Sequence, residues 1–149
     1  MVANNDTGNK NIFPLNMALG DSEEIIQMPI DAHQLGYTSS TVTKRIYDVD
    51  HMTQPVLTMS GDLFSKTYKQ KPTHIKIDVD GAEVAILKGL KGVLKNVSTL
   101  LIEVEDDLLE QFDEVAAAYI LPSGLKLCTI EAPECGRMKF FSRNEKDIL

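Results

Sequence analysis

One stretch limits this chain more than any other: Thr73-His-Ile-Lys-Ile-Asp-Val-Asp-Gly-Ala-Glu-Val-Ala-Ile-Leu-Lys-Gly-Leu-Lys-Gly-Val-Leu-Lys95. A β-branched run (Ile75, Ile77, Val79) leads through an acidic corner, Asp78 to Gly81, into a helix with no loop between them. Val84, Ile86, Leu87, Leu90, Val93 and Leu94 recur at helical spacing. Val97 to Val104 then reads as a second strand. A strand–helix–strand unit of this length requires parallel strands and a right-handed crossover. Ligands of such sheets sit beyond the carboxyl ends of the strands, where Asp78 and Asp80 lie.

The corner also has a structural reading. Asp80 and Glu83 have capping-box spacing, so Asp80 accepts from the Glu83 amide and Glu83 reaches back. Gly81 permits the tight turn, and Lys88, Lys91 and Lys95 crowd the negative end of the helix. Asp78 precedes the cap, and no local backbone need explains it, which makes it the first candidate for ligand contact. A calcium loop fails, because its first and twelfth ligand positions would fall on Lys76 and Leu87.

At 149 residues the chain has the length of one domain, and a net charge of −7 leaves no basic stripe for nucleic acid. No apolar run approaches the roughly 20 residues of a membrane helix, and Met1 to Asp6 is no signal peptide. Cys128 and Cys135 form no metal pattern and suit a reducing compartment. These features point to a cytoplasmic protein, in which the sequons at Asn5 and Asn96 carry little meaning.

Along the chain, the first ten residues read as a helix end or a frayed start. Ile12 to Leu19 reads as an edge strand, because Pro14 lacks a ladder donor, and Ile25 to Ile30 as its hairpin partner. Asp31 to Gln54 is an excursion with one further short strand, Val56 to Met59 is extended, and Gly61 to Tyr68 is a short helix. Asp107 to Leu121 carries a helical apolar stripe stopped by Pro122-Ser-Gly124. Leu125 to Ile130 and Met138 to Ser142 form a closing antiparallel hairpin around a turn at Glu131 to Gly136. Lys76 and Asp78 share one face of their strand. A lysine in a central parallel strand needs a partner, and Glu103 on the next strand is in reach, so a structural Lys76–Glu103 ion pair is expected.

Lys76-Ile-Asp-Val-Asp-Gly-Ala-Glu83 with Ile86-Leu-Lys-Gly89 closely resembles the K-I-D-V-E-G-x-E…V-L-x-G signature of FkbM-type methyltransferases. Ala18-Leu-Gly-Asp-Ser22 resembles that family's A-L-G-D turn. Val56 to Leu63 resembles its T-L-D segment in degraded form, and Phe140-Phe141 its closing strand. Order and spacing agree from about residue 1 to 143.

The resemblance implies a class I, Rossmann-like fold: mostly parallel α/β, ending in an antiparallel hairpin, with strand order three-two-one-four-five-seven-six. It implies S-adenosylmethionine as cofactor and O-methylation of a sugar or natural-product hydroxyl, on a small molecule or glycan. Asp78 would stand beside the methionine end of the cofactor and the substrate, as the catalytic positioning residue. Ala18 and Leu19 would lie near the adenine. Asp80, one methylene shorter than the family's glutamate, and Glu83 would stand on the substrate side. His33, in the excursion overhanging that side, is a second base candidate. A metal held by Asp78 and Asp80 lacks a third ligand, and none is expected.

The nine glycines include no G-x-G pair, and no acidic strand end for gripping the ribose precedes the first match. The resemblance therefore implies a domain truncated at its N-terminus and inactive alone, with residues 1–72 as edge strand and excursion and 73–149 as the core. The rival readings are a non-catalytic remnant that binds a partner through an exposed sheet edge, and a complete flavodoxin-like protein. The latter would need a phosphate loop, and Asn16 to Ser22 offers one glycine.

Overall fold

The computed structural model describes residues 12–30, 52–79, 81–128 and 137–144. The frayed start, most of the excursion, Asp80 and the turn at 131–136 lie outside the described residues. The first sheet comprises β1 (Ala18–Gly20), β2 (Glu24–Ile30) and β3 (Met52–Ser60) in the order β1-β3-β2. β1 is the edge strand expected, but it is only three residues long, and residues 12–17 form no strand. Pro14 cannot donate to a ladder, and Phe13 is 80% exposed, so nothing holds that segment extended. The hairpin expected between β1 and β2 does not form. β2 runs antiparallel to β3 from Glu24↔Thr58 to Ile30↔Met52, and β1 lies parallel to β3. Pro55 is tolerated in β3 because β1 reaches only Thr58 to Ser60, leaving one flank of β3 without a partner at residue 55 among the described residues.

Helix α1 (Gly61–Tyr68) begins where Ser60 Oγ accepts from the Leu63 amide at 3.3 Å, and ends at Lys69 in the left-handed region. The second sheet takes β4 (His74–Ile77), β5 (Thr99–Glu103), β6 (Lys126–Cys128) and β7 (Met138–Ser142), in the order β4-β5-β7-β6. β4 and β5 are parallel, as the strand–helix–strand unit requires. β7 is antiparallel to both β5 and β6, so the sheet is mixed rather than mostly parallel, because the chain returns along β5 after the hairpin. Ile77, Leu100, Ile102 and Phe141 bury one face of this sheet. His74, Lys76 and Asp78 of the other face are exposed, and Thr99 and Glu103 are half-buried.

The helix read from Glu83 onward ends early. α2 covers Glu83–Gly89, a turn follows, and Val93–Asn96 is a separate 3-10 turn. The Asp62 carboxylate starts that second turn, accepting from the amides of Gly92 (2.7 and 2.9 Å) and Val93 (2.8 Å). The helix read over 107–121 is also divided, into a 3-10 turn (Asp106–Leu108), α3 (Leu109–Val115), a π turn (Ala116–Ile120) and a final 3-10 turn (Leu121–Ser123). Pro122 has no amide for the Ala118 carbonyl and its ring would crowd that oxygen, which forces the widening. Gly124, at φ 92°, closes the segment.

The first sheet meets α2 at glycines. A β-carbon on Gly89 would overlap the Gly20 carbonyl of β1, so α2 and β1 pack backbone to backbone. A β-carbon on Gly20 itself would meet nothing closer than Thr58 Cβ at 4.0 Å. Gly89→Ala is therefore expected to cost about 1–3 kcal/mol by urea denaturation, and Gly20→Ala less than about 0.5 kcal/mol. Equal effects would show that this contact does not control the packing. Asp62→Ala removes charge-assisted bonds to two amides and should cost about 1.5–3 kcal/mol. Faster hydrogen exchange at Gly92 and Val93 would locate that loss.

Candidate functional site

Among the described residues β1 and β4 are edge strands of different sheets, and a cleft of about 800 Å³ lies between them. Met17, Ala18 and Leu19 line one side, Lys76 to Val79 the other, and Phe64 of α1, Ala82 at the cap of α2 and Ile86 within it contribute apolar wall. Ala18, Leu19 and Asp78, singled out separately in the sequence, thus line one cavity. Glu83 does not line it. Its side chain is 1% exposed, and Oε1 accepts from the Gly81 amide at 3.3 Å. That is the reach-back of a helix cap, shifted by one residue, because the residue capping α2 is Ala82 rather than Asp80. Gly81 makes the turn at φ 96° with its amide on the Val79 carbonyl, 2.9 Å away. Asp80 and His33 lie outside the described residues.

Lys76 does not pair with Glu103 as expected. Its Nζ sits 2.6 Å from Asp78 Oδ2, and the two side chains are 58% and 47% exposed. The expectation assumed a central strand, but β4 is at the edge of the described sheet, so the lysine keeps its water and closes along its own strand. The Lys76 hydrogen bond, with a second from Glu103, holds the Asp78 carboxyl below the usual aspartate range. Asp78 in turn raises the lysine. Glu103 moves the other way: its hydrogen bond to Asp78, partial burial and the Asp78 and Glu105 charges push it up, against a weaker pull from Arg137. A base role for Asp78 requires a raised pKa, and the shift has the opposite sign.

The Methyltransferase FkbM domain family matches residues 3–136, most of the chain. This chain belongs to the FkbM methyltransferase family. No curated protein and no solved structure matches it. As an FkbM-family chain it carries its strand-end aspartate on the cleft wall, with a lysine two residues back that the resemblance alone did not set apart from the motif.

Sequence reasoning missed the Lys76–Asp78 closure. The signal was present in the period of two, which puts positions 76 and 78 on one face. The apolar contributions of Met28 and Phe64 come from elements distant in sequence and had no local signal. Among the described residues no group of three His, Cys, Asp or Glu side chains is placed to hold a metal, and no helix is long and apolar enough to cross a membrane.

An exposed ion pair is worth at most about 1 kcal/mol. Asp78→Ala should therefore leave the urea midpoint of this FkbM-family chain almost unchanged. A loss as large as that of Gly89→Ala would make Asp78 a structural residue.

Proposed function

We propose that this chain takes part in S-adenosylmethionine-dependent O-methylation of a sugar or natural-product hydroxyl, on a small molecule or glycan. The observation that carries the reading is the single cleft lined by Ala18, Leu19 and Asp78. Its volume falls in the range of small-molecule sites, roughly 300–1,000 Å³. Leu19, Met28 and Phe64 suit an adenine ring, and the Asp78 carboxylate suits the cationic methionine end of the cofactor. When bound, S-adenosylmethionine supplies an electrophilic methyl carbon. The chain's part is to orient the hydroxyl and to take up its proton. The order β4-β5-β7-β6 agrees with one half of the class I sheet and supports a Rossmann-like arrangement.

The fit is incomplete, and this supports a chain inactive alone. Among the described lining residues, Asp78 is the sole carboxylate, so none is left for the ribose hydroxyls once it serves the methionine end. The sequence has no glycine-rich turn for the cofactor. On this reading further polypeptide beside β4 supplies both. Amide shift mapping by NMR with S-adenosylmethionine tests the proposal. We expect millimolar binding, near −4 kcal/mol, with the perturbed amides at Ala18, Leu19, Asp78 and Val79. No perturbation, or perturbation elsewhere, would refute the cofactor reading, and micromolar affinity would refute the incompleteness.

A second reading rests on one observation. β4 has one partner strand among the described residues, and its other edge is open, as in modules that bind by strand addition.

A further inference from the structure

The cleft between β1 and β4 carries one lysine and one carboxylate, and the two lie against each other. Among its described lining residues Lys76 is the sole lysine or arginine and Asp78 the sole acidic side chain. Lys76 Nζ stands 2.6 Å from Asp78 Oδ2, with the side chains 58% and 47% exposed. Each group therefore keeps about half of its surface open to whatever enters the cleft. Contacts remain to be made. An ammonium has three donors, an ionised carboxylate has about four acceptor positions over its two oxygens, and the pair uses one of each. His74, the remaining titratable group among these lining residues, is already engaged, its Nδ1 lying 2.7 Å from Thr99 Oγ1.

Charge complementarity then selects the ligand. A purely cationic group must compete with Lys76 for Asp78, and a purely anionic one must compete with Asp78 for Lys76. A zwitterion competes with neither, because its cation rests on the carboxylate and its anion on the ammonium, and the four charges alternate in a ring. An α-amino-acid head group carries its ammonium and carboxylate on one carbon, close enough together to lie across a pair 2.6 Å apart. We propose that Lys76 and Asp78 together receive an α-amino-acid head group, Asp78 taking the ammonium and Lys76 the carboxylate. This rests on the cofactor reading, since the methionine end of S-adenosylmethionine carries such a head group. It adds Lys76 to the binding residues. The hydrogen bond between the two raises the lysine and lowers the aspartate, so each keeps the other in the charged form the head group needs.

The test compares S-adenosylmethionine with its decarboxylated form, which keeps the ammonium and loses the carboxylate, by NMR titration of the 149-residue chain at low salt. An exposed ion pair changes affinity by about fivefold at most, so the decarboxylated compound is expected to bind about three- to fivefold more weakly. Lys76→Met should abolish that difference, and Lys76→Arg should keep it. The Lys76 ε-methylene signal should move with S-adenosylmethionine and stay in place with the decarboxylated form. That readout uses the wild-type chain and stands even if Lys76→Met fails to fold. Equal wild-type affinity for the two compounds, an unmoved Lys76 signal, or a difference that survives Lys76→Met would overturn the inference and leave the cofactor reading standing. Binding of neither compound would overturn both.

Discussion

The parallel pairing of β4 with β5 is the constraint on which the rest depends. A helix must return the chain to the same end of the sheet, so α2 lies across the buried face, where Leu87, Leu100 and Ile102 are fully excluded from solvent. The same pairing aligns the strand ends, bringing Asp78 beside Glu103. A one-residue slip would turn Ile77 outward and Lys76 into the core, an exchange too costly to be populated. The polar face is therefore fixed by what the apolar face must bury.

The cleft follows from a second contact rather than from the sheet itself. Gly89 lets α2 touch the β1 backbone, and Asp62 ties α1 to the turn after α2. These two links hold the first sheet against the second with a gap between the edge strands. The gap is apolar apart from a few groups, chiefly Lys76, Asp78 and His74, the last bonded to Thr99 at 2.7 Å. Burial drives the architecture, and the polar groups at the strand ends are left to act on whatever enters.

What the sequence disclosed follows the range of the forces involved. The boundaries of α1 were legible because Ser60 is a local cap, and the presence of β4 and α2 because their patterns have one clear period. The partner of β2 was not, since pairing across the excursion is set by residues far apart in sequence. The divisions of the two longer helices escaped because Asp62, a distant residue, restarts one, and Pro122 disturbs the turn before it in the other. At the site, the periodicity put Lys76 and Asp78 on one face, but the ion pair was assigned to Glu103 because the lysine was taken to be buried. An exposed edge strand reverses that choice.

In the proposed function, β1 and the end of β4 are two walls of one cofactor cleft. Photolabelling with an azido-adenine analogue of S-adenosylmethionine, followed by peptide mapping, tests it most directly. Label is expected on the peptide containing Ala18 and Leu19, suppressed by excess unmodified cofactor and reduced when Gly89→Ala disturbs the packing of β1 on α2. Label that competitor does not suppress, or that falls on the outer strands β6 and β7, would contradict it.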